Sequence, residues 1–189
     1  MRTTLLLLGL GALTLPPPAR AADTINLSSL DLRIKQDMGE FHRDQTADGS
    51  PITIAGQKFD HGVGTHSNSS MSLGLDGKAE AFSAKVGVDD EITDVGTITF
   101  TLTGDGRKLW ESPAMNFGDA PVSISVDLHG VRTLVLTARD GGDGNNHDHA
   151  DWADAKIVMT SGQPTVLDPD AGIAASPAAS ATNSVSPAK

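Results

Sequence analysis

Residues 140–152 read DGGDGNNHDHADW. Asp140, Asp143, Asp148 and Asp151 supply carboxylates there, Asn145 and Asn146 amides, His147 and His149 imidazoles, and Trp152 an aromatic ring. Two other stretches are similarly polar, DHGVGTHSNS at 60–69 and GVDDE at 87–91. Such groups serve four chemistries: calcium binding, zinc binding, acid–base hydrolysis and sugar recognition.

Calcium takes six to eight oxygens from carboxylates, amides and backbone. Asp89, Asp90, Glu91, Asp143, Asn145, Asp148, Asp151 and Asp154 offer them in plenty. Their spacing is not that of an EF-hand. GGDGNN resembles one copy of the calcium-binding nonapeptide, which works only in stacked series. The metal expectation is a structural Ca2+ on Asp89, Asp90, Asp143, Asp148 and Asp154, set against a plain solvated acidic turn. Zinc would use His147 and His149, which share a face of an extended strand with Asp151, plus His61 or His66 if the loops meet.

Hydrolysis of a glycosidic bond needs two carboxyls held about 5–10 Å apart, one of them protonated near neutrality. Composition selects no such pair, and there is no G-x-S-x-G elbow. Sugar recognition needs planar hydrogen-bonding groups and one apolar wall. His66, Asn68, Asn145, Asn146, Arg43 and either tryptophan fit that description. Trp110 closes an alternating strand and reads as core; Trp152 reads as core or as a loop platform.

The elements that must position these groups have period two. TITFTLT (97–103) puts Ile98, Phe100 and Leu102 on one face and threonines on the other; Asp105-Gly106 and RKLW (107–110) then complete a hairpin with a type I′ turn. AFSAKVGV (81–88) and VSISVDL (122–128) alternate likewise. TLVLTA (133–138) and AKIVMT (155–160) are near-continuous apolar runs, the mark of central strands. Shorter candidates are PITIA, QKF and MSLGL, and helical periodicity is absent outside the N-terminal stretch. This pattern predicts an all-β, antiparallel β-sandwich whose loops cluster at its ends.

Length and composition set further bounds. The 189 residues suit one domain with tails. Residues 1–21 carry an early arginine, an apolar run from Leu5 to Leu15 and an Ala19-Arg20-Ala21 cleavage pattern, the features of a secretory signal peptide. The domain is expected over 22–160, with 161–189, small, polar and proline-containing, as a disordered tail. Secretion or delivery to the periplasm follows, with no membrane insertion, because no other segment is long and apolar enough to span a bilayer. A formal net charge of −10 argues against nucleic acid as partner. There is no cysteine, so the core, helped at most by a metal, must hold the fold.

The ordered series LSSLDL (27–32), GSPITIAGQKFDHGVGTHSNS (49–69), FSAKVGVDDE (82–91), GTITFTLTGDGRKLWES (96–112) and GDAPVSISVDLHGVRTLVLTARDGGDGNNHDHADWADAKI (118–157) resembles the NPCBM family, carbohydrate-binding modules found beside glycoside hydrolases. The resemblance implies a galactose-binding-like jelly roll without catalysis. Its end loops would bind terminal sugars, galactose-type glycans foremost, and related sandwiches often carry calcium. It points to His66, Asn68, Asp89, Asp90, Glu91, Asp148, His149, Asp151, Trp152 and Asp154. Combined with the polar tips, the expected carbohydrate contacts are His66, Asn68, Asn145, Asn146, His149 and Trp152. The chain departs from the family at Met38, where members usually carry tryptophan. The expected partner is a glycan or polysaccharide, with an associated glycoside hydrolase. The competing reading is an envelope structural module that has lost sugar binding.

Overall fold

The computed structural model describes residues 21–93 and 96–170. The expected signal peptide, apart from Ala21, and residues 171–189 of the expected tail lie outside the described residues. Among the described residues, fifteen strands and one 3-10 turn, Leu27–Ser29, make up the regular structure, and every strand pair is antiparallel.

The first sheet runs β12 (Val122–Asp127), β8 (Ala79–Val88), β14 (His149–Met159), β6 (Gly62–His66), β3 (His42–Arg43), with β1 (Asp23–Asn26) against the second half of β14. The second runs β10 (Arg107–Glu111), β9 (Thr97–Gly104), β13 (Thr133–Asp140), β7 (Ser69–Gly74), β15 (Thr165–Val166). Here β11 (Met115–Asn116) joins β9, and β2 (Ile34–Lys35) joins β7. A small hairpin, β4 (Thr53–Ile54) with β5 (Gln57–Lys58), stands apart. Strands consecutive in sequence, such as β8 and β9 or β13 and β14, lie in different sheets, the connectivity of a closed-up sandwich. The expected all-β sandwich is the observed fold.

Alternation explains how the sheets face each other. Along β9 the buried residues are Ile98, Phe100, Leu102 and Gly104, with half-exposed threonines between. Beside them in the same sheet lie Leu134 and Leu136, and across the core Phe82, Val86 and Trp152, all without exposure. The Trp152 ring meets Phe100 edge-on at 5.2 Å and Phe82 at 6.4 Å, geometry that aromatic quadrupoles favour. The β9–β10 hairpin turns on Asp105 (φ 48°) and Gly106 (φ 76°), both left-handed as a type I′ turn requires.

One layer was not foreseen. The segment carrying β4 and β5 folds back over the outer face of the first sheet, where Ile52, Ile54 and Phe59 close on Ala153 as a second small core. Gly64 and Gly87 flank Asp151 in register on the sheet beneath. A methyl on Gly64 would run into the backbone of Gln45 and Thr46, and one on Gly87 into Ile54. The close approach of this cover depends on those two missing side chains.

The domain also extends past the expected limit at residue 160. Thr165–Val166 pairs with Gly74 and Leu73, Leu167 N–H donates to Ser72 O, and Asp170 pairs with Lys35 at 3.0 Å. Residues 161–170, expected as the start of a disordered tail, instead border the second sheet. Val166 and Leu167 bring this segment onto the edge of β7 left free by β13.

Candidate functional site at one end of the sandwich

Strand direction brings the polar stretches to one pole. His149 is the register partner of His66, and Val88 faces Ala150, so the end of β6, the end of β8 and the start of β14 coincide. Ser67 N–H donates to Asp148 O and Asp89 N–H to His149 O, tying the three loops together. On the other sheet, Thr97 Oγ1 lies 3.1 Å from Asn116 Oδ1 and 2.9 Å from Asp143 Oδ2. Asn68 donates to Asp37 at 2.8 Å, and Gln36 Oε1 receives His66 N–H. Loops 36–41, 66–69, 112–121 and 140–148 therefore form one rim.

The expected sugar contacts divide on inspection. Asn145, Asn146 and Asn68 stand at the rim, exposed or half-exposed. His66 and His149 are there too, but buried, their rings 5.3 Å apart and edge to face. Burial and the neighbouring His149 hold His66 below its ordinary imidazole range. Trp152 requires correction. It is 0% exposed, and a ring with no free face cannot support a sugar; parity along β14 turns it inward with Ala150. Trp110 packs half-buried against the core, as expected. Arg43 is committed to Leu30 O. Met38, at the family's tryptophan position, is 46% exposed rather than packed beneath its loop.

The expected metal ligands do not share one cage. Asp89 receives Thr53 and Glu91 N–H on its two oxygens, and Asp90 receives Ala55 and Gly56 N–H. Both are thus spent on fixing the hairpin cover. Asp154 sits five residues down β14, at an irregularity in the ladder with φ 47°, its N–H on His61 O. Only Asp143 and Asp148 remain together in the rim loop. Asp148 is fully buried, and neither carboxylate oxygen makes a well-formed hydrogen bond among the described residues, although the Ser67 hydroxyl and Thr97 N–H lie near enough to favour its charged form. Burial, with Asp143 and Asp140 nearby, pushes its carboxyl up to about 6.

Residues that the sequence reading did not join lie beneath the cover. His149 Nδ1 is 2.6 Å from Glu91 Oε1, and Thr46 donates to Glu91 Oε2 at 2.6 Å. Asp48 completes the group: Asp48, Glu91 and His149 offer ligand atoms within 4.8 Å of one another. The short internal bonds of Glu91 account for this cluster without an ion. The zinc set expected from His147, His149 and Asp151 does not recur in it, because Asp151 points under the cover and is wholly buried. Thr46 and Asp48 could have been found only by knowing that residues 45–60 fold over β14.

Residues 23–158 match the family described as NPCBM/NEW2 domain. Alpha-1,3-galactosidase B of Akkermansia muciniphila is 33% identical over 137 residues, which is 70% of this chain and 17% of that enzyme. The chain thus spans under a fifth of that curated relative's length. Among solved structures, the CBM51 from Clostridium perfringens GH95 in complex with methyl-galactose is 32% identical with a TM-score of 0.66, covering 71% of this chain and 99% of that one. CBM51-2 of Clostridium perfringens ZmpB, in complex with GlcNAc and joined to INT domains, is 28% identical with a TM-score of 0.69, covering 74% of this chain and 32% of that one.

Proposed function

This chain belongs to the NPCBM/NEW2 domain family of non-catalytic carbohydrate-binding modules, and from that premise we propose an exported module that recognises terminal sugars, galactose-type glycans foremost, through the loops at one end. The observation that carries this reading is the gathering of Asn68, Asn145 and Asn146 at one rim of a sandwich like the one that holds methyl-galactose. Amides and carboxylates can each bridge adjacent hydroxyls. Each such bond displaces one to water, so its net worth is small. Affinity is expected at roughly 10 µM to 1 mM, or about 4–7 kcal/mol. Isothermal titration with methyl-galactoside, GlcNAc and a wider glycan panel tests it. Binding that falls when Asn145 and Asn146 are both replaced by alanine supports the reading; silence across the panel with calcium present overturns it.

Calcium belongs to the same proposal. The orphaned carboxylate of Asp148, with Asp143 in the same loop, is the donor set that fits a hard cation. The ion would fix the rim loop and supply the positive countercharge that the buried Asp148 carboxylate otherwise lacks. Association with a glycoside hydrolase, which would be held on its substrate by this module, follows from the company such modules keep in relatives. One observation favours the competing reading of an envelope structural module: both tryptophans are withdrawn, leaving Met38 and Phe117 as the exposed large apolar side chains among the described residues.

A further inference from the structure

A cleft of about 360 Å³ opens beside the rim, lined by Lys35, Asp37, Asn68, Ser70, Arg139 and Asp170. Its rows are set by the second sheet. Ser70 pairs with Lys35 on one side and Thr137 on the other, and one further step of the β7–β13 register sets Arg139 opposite Asn68. Two of its acids are already answered: Asp170 by Lys35 at 3.0 Å, Asp37 by Asn68 at 2.8 Å. Arg139 is exposed and has no hydrogen-bond or ion-pair partner among the described residues. Ser70 is buried with its Oγ likewise unpartnered. In a chain of formal charge −10, the two cations and two acids lining this cleft balance, and its cation without an ion-pair partner is the Arg139 guanidinium.

We propose that this cleft is a subsite for a sugar residue bearing a carboxylate, held by Arg139 with Asn68 and Ser70 at its hydroxyls. The inference rests on the carbohydrate-binding reading and adds a ligand class to it. A guanidinium presents paired N–H donors that match a carboxylate two to two. The volume suits one monosaccharide. Acid repulsion from the rest of the surface is screened within about 10 Å at 0.1 M salt, so a local partner decides whether an anion can stay.

Galacturonic acid and galactose, which differ only at C6, are the matched probes. Each is titrated calorimetrically into the full chain and into R139Q, in 0.1 M salt at pH 7. The expected result is tighter binding of galacturonate than galactose, a tenfold or greater loss for galacturonate in R139Q, and less than twofold change for galactose. Arg139 is exposed and unpaired, so R139Q should keep its melting temperature. Galacturonate binding no tighter than galactose, equal loss of both sugars in R139Q, or no loss in R139Q each overturns the proposal while leaving the module a sugar binder. Silence toward both, and toward the wider panel, removes the carbohydrate-binding reading itself.

Discussion

The carboxyl of Asp151 lies against that of Asp89 beneath the hairpin cover, and no described donor reaches either Asp151 oxygen. Asp89 takes Thr53 and Glu91 N–H on its two oxygens. Asp151 has burial first and the Asp89 charge second against it, and both raise its carboxyl well above the ordinary range. Protonated, it can donate to Asp89 and the pair is satisfied.

That relationship predicts a pH effect of definite sign. A carboxyl raised in the fold favours the folded state fully below its unfolded value of about 3.9, and the benefit is lost as pH rises through the folded value. Asp151→Asn, neutral at every pH, should stabilise the domain by about 1–3 kcal/mol at pH 8 and have little effect at pH 4. Urea unfolding at the two pH values measures it. Equal effects at both would mean that Asp151 is not protonated in the fold.

Asp148 gives the same sign with a narrower window and a second control. Without metal, its contribution should fade as pH rises from about 4 through about 6. Calcium at pH 7.5 should raise the melting temperature and chelator should lower it, because an ion bound only by the native state stabilises it. Asp148→Asn should abolish the calcium response. A melting curve indifferent to both reagents would leave the loop a solvated acidic turn.

His66 works from the acid side. Its folded value is depressed, so it contributes stability above about 6.5 that is lost as pH falls through the folded value. His149→Gln removes one of the two influences that lower it, the neighbouring imidazole, and should move the His66 midpoint upward. Imidazole NMR titration reads this directly; an unmoved midpoint would assign the depression to burial alone.

Trp152→Ala should cost about 3–5 kcal/mol by emptying the space between Phe82 and Phe100. Any loss of sugar binding should track unfolding, not precede it. Chemical denaturation alongside titration separates the two, and a folded variant that no longer binds would restore Trp152 to the site.

Gly64→Ala should destabilise by about 1–3 kcal/mol, because the added methyl meets backbone of Gln45 and Thr46 that cannot swing aside as a side chain would. Proteolysis in the 45–60 segment should rise with it. A wild-type melting temperature would show that the cover floats above the sheet.

Much of the fold was legible because strand signals are local. Ile98, Phe100 and Leu102 alternate with threonine whatever lies elsewhere, and Asp105-Gly106 carries its turn in its own backbone preferences. The same locality shaped the rim: loops at strand ends must lie at the ends of the sandwich, which is where the loops carrying Asn68, Asn145 and Asn146 are. Parity, however, says only that Asp151 and Trp152 face opposite ways. Which side is covered depends on pairings far apart in the chain: Trp152 on Phe82 and Phe100, Asp151 under a hairpin admitted by Gly64 and Gly87. The sequence by itself thus determined the sandwich, its turns and its polar end. Only the tertiary structure decided which acids were exposed, which were spent on backbone N–H, and which arginine was left unpaired. The alternation of side chains is a property of one strand, whereas the dielectric around each of them is set by every segment that folds over it.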